Sequence, residues 1–329
     1  MKKINRNVFL KMGVLTAFSP IVSRAFAGKE ENIFQLFGEA TLLQQLIEAN
    51  DKQVDELIRT IQPGMTNFSR RIASDFSCMA ASYVSSNSRF YHKPEVIERL
   101  QILVSVLQKN QTADGTVNIA NLESPPDTAF LIELLCPGIS LLHKDATKEG
   151  LEICDKIKPV MLKAGEALAT GGVHTANHRW VISAALSQLN HLYPNKKYTN
   201  RIAEWLDEGI FQDKEGHYAE RSMIYSNVEN TAYLTLARMM NLPELYMPVR
   251  KNLDMLTYYL EPDGKMVTTD SRRQDQYLEE HISLHYYSFR QLAILDKNPV
   301  FAGIVQFVES LPAFKSIILP RALFRFLET

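Results

Sequence analysis

The chain has 329 residues, of which 46% are hydrophobic and 22% charged, so it can bury one large core or two modest ones. Its formal net charge is −1 at pH 7, which excludes a whole-molecule field able to gather a polyanion. No stripe of lysine and arginine is interleaved with aromatic residues, so nucleic acid is not an expected partner.

The chain has three cysteines, Cys78, Cys136 and Cys154, at irregular spacings and without a C-x-x-C pair. An odd, sparse set of this kind indicates neither a disulfide framework nor a zinc site. No acidic loop has the ligand spacing of a calcium site. We therefore expect no metal and no other cofactor.

The N-terminal segment has the pattern of an export signal. Basic residues precede an apolar run, and Ala25-Phe26-Ala27 provides a cleavage site before Gly28. The apolar run is shorter than the ~20 residues that cross a bilayer, so a stable membrane span is not expected. We predict that residues 1–27 are an export signal, that residues 28–329 form the mature domain, and that the protein is periplasmic or secreted.

After the signal, apolar residues recur every three or four positions almost throughout, and alternation of period two is scarce. The sequence therefore predicts an all-α fold. Predicted helices lie around 33–47, 54–61, 94–107, 147–169, 177–192, 198–207, 222–240, 246–260 and 274–295.

Glycine-containing loops recur between these helices. Asp114-Gly115, Gly171-Gly172, Glu215-Gly216 and Asp263-Gly264 begin 57, 44 and 48 residues apart (171−114, 215−171, 263−215). Each interval accommodates two helices with short connections, which predicts repeated helical hairpins. An incomplete α/α toroid with its loops on one rim fits this spacing, and a straight solenoid is the alternative.

Two polar clusters lie in the first half of the chain. In the Ser124–Thr128 cluster two prolines precede Asp127, and Asp127 or Thr128 is a candidate helix cap. In the Gly171–Trp180 cluster flexible glycines lead into two imidazoles, an amide and a guanidinium. Such a density of donors before a helix predicts an anion site, and a helix cap with solvated histidines is the alternative.

Two further clusters lie in the second half. In the Asp213–Tyr225 cluster, three residues spaced as on a helix (Tyr218, Ser222 and Tyr225) are accompanied by Glu220 and Arg221. The last cluster, Thr268–Asp275, is rich in charges and hydroxyls. Core tyrosines and solvated caps are the alternatives to substrate contacts in these two clusters.

Three of these motifs together resemble the toroid portion of heparinase II/III-like polysaccharide lyases. They are Asn177-His178-Arg179-Trp180, the Asp-x-x-Gly-x-Tyr-x-Glu-x-Ser-x-x-Tyr run from Asp213 to Tyr225, and Asp270-Ser271-Arg272-Arg273-Gln274-Asp275. Alginate lyases of the same build are similar. The resemblance implies β-elimination on an acidic polysaccharide or oligosaccharide that contains uronate.

The resemblance also implies roles for individual residues. Asn177 and His178 would neutralise the uronate carboxylate, and Tyr225 would act as acid and base, with Tyr233 in reserve. The residues expected to bind substrate are Asp127, His174, Arg179, Trp180, Tyr218, Glu220, Arg221, Arg272 and Arg273.

One departure from the family concerns the β-sandwich that follows the toroid and supplies a further catalytic histidine. No strand-rich region occurs in this sequence, so a separate sandwich partner or a truncated, weakly active protein is an expectation. His281 and His285, predicted one turn apart on a late helix, are candidates to replace that histidine. Two other functions stay open: a toroid glycoside hydrolase that uses Asp127 and Asp270 on unsaturated uronyl sugars, and a non-catalytic glycan-binding scaffold.

Overall fold

The structure, a computed structural model, describes residues 39–119 and 122–328. It is 69% helical and 4% strand, which confirms the prediction of an all-α fold. The described residues form two compact units: a larger unit of residues 39–209 and 315–328, and a smaller unit of residues 210–314. The predicted export signal lies outside the described residues.

The larger unit is built around one central helix, α4, which packs against α2, α5, α6 and the last helix, α12. Its elements are α1 (Glu39–Thr60), α2 (Arg71–Val84), α3 (Pro94–Asn110), the antiparallel pair β1 (Asn118–Ile119) and β2 (Leu122–Glu123), α4 (Pro125–Asp145), α5 (Lys148–Thr170), α6 (Ala176–Leu192), α7 (Lys196–Asp207) and α12 (Leu323–Glu328). A π-helical turn (Phe314–Ile318) and a 3-10 turn (Leu319–Arg321) precede α12.

Helix α4 approaches α2 closely because a glycine lies at the contact. A Cβ atom on Gly138 would lie 2.6 Å from the Ser77 hydroxyl oxygen. That hydroxyl donates to the Leu134 carbonyl and accepts from the Gly138 amide, next to Pro137, which has no amide to donate. All three cysteines are buried in this unit and unpaired.

The smaller unit packs its helices as successive neighbours, with α8 against α9 and α10, and α10 against α11. Its elements are α8 (Met223–Met239), a 3-10 turn (Pro243–Leu245), α9 (Tyr246–Leu256), the antiparallel pair β3 (Lys265–Met266) and β4 (Glu280–His281), a 3-10 turn (Ile282–His285), α10 (Tyr286–Asp296) and α11 (Pro299–Ser310).

Three of the four predicted glycine loops have the same backbone geometry. In each, the glycine amide donates to the carbonyl three residues earlier, and that earlier residue's amide donates to the carbonyl following the glycine. Gly115, Gly216 and Gly264 all have positive φ, between 93° and 106°, which L side chains rarely adopt. A recurrent turn therefore underlies the spacing read from the sequence.

The first two turns also dock on the following helices in the same way. The Gln111 side-chain amide donates to the carbonyls of Gly115 and Val160, and Gln212 donates to those of Gly216 and Pro248. Val160 belongs to α5 and Pro248 to α9. The succession of helix, glycine turn, serine-capped helix and second helix thus occurs once in each unit. Closure of such repeats into a toroid stays a prediction.

Several helix boundaries differ from the sequence prediction. The Ser124 hydroxyl, rather than Asp127 or Thr128, caps α4, because the prolines at 125 and 126 fit the first helical positions. The predicted helix at 274–295 is wrong over its first half. Residues 267–279 form a loop held by contacts distant in sequence, β4 follows, and the helix proper begins at Tyr286.

We predict that Gly216→Ala destabilises the protein by about 2 kcal/mol or more. The new Cβ would lie 2.4 Å from the Lys251 carbonyl oxygen, in addition to the strain of a positive φ. Gly209→Ala is the control, because Gly209 also has positive φ but its Cβ would meet nothing within 4 Å. Thermal unfolding should show the larger loss for Gly216→Ala, and equal losses would contradict the close packing.

Candidate functional site

The predicted site residues fall in both units. Asp127 and the His174–Trp180 segment belong to the larger unit, whereas the Asp213–Tyr225 and Asp270–Asp275 segments belong to the smaller one. The structure therefore tests contacts within each group. The predicted convergence of Asn177, His178 and Tyr225 on one sugar stays a prediction.

The polar segment before α6 is internally hydrogen-bonded. Asn177 is completely buried, and its amide nitrogen donates to the Thr175 hydroxyl over 3.0 Å. The His174 amide donates to Nδ1 of His178 over 3.3 Å, and the two imidazoles meet edge to face. An accepting Nδ1 carries no proton, so the proton of neutral His178 is on Nε2.

The two residues that follow are held by packing and an ion pair. Trp180 is 1% exposed and belongs to the core. The Arg179 guanidinium lies over the Trp180 ring and forms a 2.8 Å ion pair with Glu208. The positive charge of Arg179, which was predicted to bind substrate, is thus partly compensated by Glu208. Asp127 is similarly engaged, in an ion pair with Arg70.

In the smaller unit, the Asp213 carboxylate organises the glycine turn. Its Oδ1 accepts from the amides of Glu215, Gly216 and His217, and its Oδ2 accepts from Arg221 over 2.8 Å. Burial raises the pKa of Asp213, but the amide hydrogen bonds and the charges of His217 and Arg221 together hold that pKa below its usual value. Arg221 has a φ of 51°, a conformation uncommon outside glycine.

The spacing of Tyr218 and Tyr225 had suggested that both lie on one helix. Tyr218 instead lies in this turn, before the helix begins. It is 1% exposed, and its hydroxyl donates to Asn230 over 2.8 Å. Asn230 in turn donates to Asn252, which donates to the Gly216 carbonyl. Tyr218 therefore closes a chain of hydrogen bonds between the turn, α8 and α9.

Asp275 joins the 267–279 loop to the start of α8. The residue is completely buried, and its Oδ2 accepts from the Ser222 hydroxyl over 2.8 Å and the Met223 amide over 3.0 Å. Its Oδ1 accepts from Ser271 over 2.5 Å. A carboxylate at a helix N-terminus interacts favourably with the helix dipole, which helps to offset its burial. This residue fixes the loop against the first turn of α8.

Tyr225 lies in that first turn, among three loop and turn residues: Glu220, Arg273 and Gln274. We call these four residues the Tyr225 cluster. The Tyr225 hydroxyl accepts from the Gln274 amide over 2.6 Å and lies 3.4 Å from an Arg273 nitrogen. The guanidinium also lies over the tyrosine ring, 4.4 Å from its centroid.

Glu220 positions that guanidinium. The Glu220 carboxylate is buried and forms a 2.5 Å ion pair with Arg273, while the Glu220 carbonyl accepts from the Arg272 amide. The structure therefore brings three predicted site residues together: Glu220, Tyr225 and Arg273. Arg272 is exposed on the same loop.

A second polar group, formed by His217, Tyr259 and Asp270, lies beside Arg221. The Tyr259 hydroxyl donates to Asp270 over 2.9 Å and contacts Nε2 of His217 over 3.1 Å, while Arg221 lies 3.6 Å from the same Asp270 oxygen. Burial lowers the pKa of His217. Burial and the hydrogen bond to Asp270 raise the pKa of Tyr259.

Sequence reasoning gave no role to Tyr259, Gln274 or Asp275. Gln274 and Asp275 lie within a quoted motif, so the motif was a usable signal for these two. Tyr259 follows the end of α9, and no pattern in the sequence marks it.

Two of the remaining tyrosine and histidine candidates, Tyr233 and His285, are in the core. Tyr233 is completely buried, with its ring 5.7 Å from that of Tyr218. His281 and His285 are not on one helix, which corrects that prediction: His281 ends β4 and caps the 3-10 turn, because β4 pairs with β3. His285 is completely buried, and burial lowers its pKa to about 3.

Within residues 39–119 and 122–328, no group of three or more His, Cys, Asp or Glu side chains could hold a metal ion. Over the same residues, no single helix is long and apolar enough to span a membrane. Helix α11 and the segment Phe314–Arg321 meet that test only together, with an 84° bend between them.

Comparison with known proteins gives no family assignment, since no protein-family model and no curated protein matches the chain. The resemblance to the lyases thus depends on the loop motifs.

We predict that Asp275→Asn destabilises the protein by about 2–4 kcal/mol, because the amide cannot accept all the buried hydrogen bonds that the carboxylate accepts. Asp296→Asn is the control. Asp296 accepts two 2.6 Å hydrogen bonds from Arg250 near the surface, where ion pairs contribute less than about 1 kcal/mol. Chemical denaturation measures both, and equal losses would show that Asp275 is not a central contact.

We predict that His285 makes the protein less stable in acid. Its pKa is about 3 in the folded state, against about 6.5 when unfolded. The unfolded chain therefore binds a proton that the folded chain excludes, and stability falls by about 1 kcal/mol per pH unit as the pH drops below 6.5. In His285→Phe this contribution disappears, so the stability difference between wild type and variant should change steadily from pH 6.5 to 4. A constant difference would contradict the prediction.

Proposed function

We propose that the protein is an exported polysaccharide lyase-like enzyme that cleaves uronate-containing glycans by β-elimination. The observation that carries the proposal is the Tyr225 cluster, in which a phenol oxygen accepts a hydrogen bond from Gln274 and lies beside the Arg273 guanidinium. The motif resemblance and the all-α fold support the proposal. An incomplete toroid is part of it.

The chemistry requires that a proton leave C5 of the uronate and that the bond from C4 to O4 break. The electron pair of the C5–H bond forms the C4–C5 double bond, and the pair of the C4–O4 bond leaves with O4. In the proposal, the Tyr225 phenolate takes the C5 proton and then returns it to O4, so the enzyme is regenerated.

A phenolate oxygen needs donors or a cation nearby, because free tyrosine has a pKa near ~10. Gln274 supplies an N–H and Arg273 a positive charge at that oxygen. Glu220 holds the guanidinium in place through its ion pair. The cluster thus contains the groups that a proton carrier requires.

The uronate carboxylate must be neutralised as charge develops on it during proton removal. The resemblance assigns this role to Asn177 and His178. Arg272 is an exposed cation on the loop that carries Arg273, and it is the candidate within the smaller unit.

Ultraviolet absorbance of the products tests the proposal, because only a lyase creates a conjugated C4–C5 double bond. Suitable substrates are alginate, heparan, chondroitin, hyaluronan, gellan and ulvan. New reducing ends without absorbance would indicate the hydrolase, and binding without cleavage would indicate the scaffold.

We predict that Tyr225→Phe reduces turnover by about 10²–10⁴-fold while glycan binding changes little, because only the proton carrier is lost. Gln274→Leu should reduce kcat by about tenfold through loss of one donor to the phenol oxygen. Tyr246→Phe is the matched control, since the Arg250 guanidinium also lies over the Tyr246 ring in the same unit. Full activity of Tyr225→Phe, with circular dichroism confirming its fold, would refute the role of Tyr225.

A further inference from the structure

The loop that carries Gln274 and Asp275 also presents an aromatic side chain to solvent. Tyr277 is 76% exposed, and the adjacent Leu278 is 54% exposed. Two large apolar side chains that are adjacent in the sequence are thus exposed to water on the loop that contacts Tyr225.

The backbone at Tyr277 has an uncommon conformation. Its φ is 63°, in the left-handed region that bulky residues rarely occupy. Such a conformation persists only where the surroundings hold it, and it occurs frequently at ligand-binding positions. Here it lies two residues after the completely buried Asp275, in a loop that is fixed to the start of α8.

Hydrogen bonds on both sides of Tyr277 hold this conformation. The Leu278 amide donates to the Asp275 carbonyl, and the Leu278 carbonyl accepts from the Thr268 hydroxyl over 2.8 Å. The Gln276 side chain donates to the Thr269 carbonyl. With Asp275 completely buried, the ring is carried on a fixed backbone, so binding would order little of the loop.

Tyr277 is also close to the Tyr225 cluster along the chain. It lies three residues after Gln274, so the Cα atoms of Gln274 and Tyr277 are at most roughly 11 Å apart. The Gln274 side-chain amide contacts the Tyr225 hydroxyl. An oligosaccharide of a few sugars spans that distance. Two carboxylates lie within two residues of Tyr277 in the sequence: that of Asp275 is buried and hydrogen-bonded, and that of Glu279 pairs with Lys265.

We infer that Tyr277 is a sugar-stacking residue for an acidic oligosaccharide, next to the Tyr225 cluster. The flat aromatic face packs against the C–H face of a sugar ring, which excludes water from both surfaces. This inference rests on the proposed function for the class of its ligand.

The test compares Tyr277→Ala, Tyr277→Phe and wild type for binding and cleavage of hexasaccharides. The probes are hexasaccharides of alginate, heparan sulfate, chondroitin and hyaluronan, with a neutral dextran oligosaccharide as the uncharged control. Tyr277→Ala should raise Kd and KM about tenfold with kcat nearly unchanged, and Tyr277→Phe should retain wild-type affinity because the ring is kept. Phe211→Ala, which removes another exposed aromatic of the same unit, should have no effect.

The outcomes separate this inference from the proposed function. Cleavage with an unchanged KM in Tyr277→Ala overturns the stacking role and leaves the lyase proposal standing. Tighter binding of wild type than of Tyr277→Ala, without any double bond in the products, supports stacking and overturns the lyase. If wild type binds none of the probes, or if Tyr277→Ala changes only self-association measured by sedimentation, the stacking role is overturned.

Discussion

The close approach of a glycine turn to the backbone of a following helix is the constraint on which both units depend. At Gly115 and Gly216 the turn lies so near a helix carbonyl that no side chain fits between them. A glutamine just before each turn, Gln111 or Gln212, bonds both the turn and that helix. The turn thereby sets how the helix before it and the two helices after it are arranged.

The geometry around Tyr225 depends on this constraint together with one buried carboxylate. The turn at Gly216 fixes the chain that leads to Glu220, and Asp275 attaches the second loop to the start of α8. Removing Asp275 from water costs free energy, which its hydrogen bonds and the helix N-terminus offset. The Arg273 guanidinium reaches Tyr225 because buried hydrogen bonds of Asp275 fix its loop to the start of α8, the helix that carries Tyr225.

The sequence was sufficient where structure depends on local pattern. Periodicity predicted α5 to α8 to within two residues, and glycine spacing predicted the repeated turns. It was insufficient where contacts between distant residues determine the structure. The loop at 267–279 has charges suited to a helix, yet Asp275 accepts hydrogen bonds from residues some fifty positions earlier. The local motifs indicated Tyr225 and Arg273. The contacts of Tyr259 with His217 and Asp270 join residues distant in sequence, so only the structure reveals them.

The two copies of the turn and capped helix carry a different residue at one equivalent position. Ser124 caps α4 and Ser222 caps α8, and the third residue after each serine is Asp127 in one copy and Tyr225 in the other. In both copies the cap is a hydrogen bond from the third residue's backbone amide to the serine hydroxyl, so the side chain of that third residue can vary. Asp127 meets Arg70 there, and Tyr225 meets Arg273. The same capped turn can therefore hold an ion pair in one unit and a phenol in the other without any change in the hydrogen bond that begins the helix.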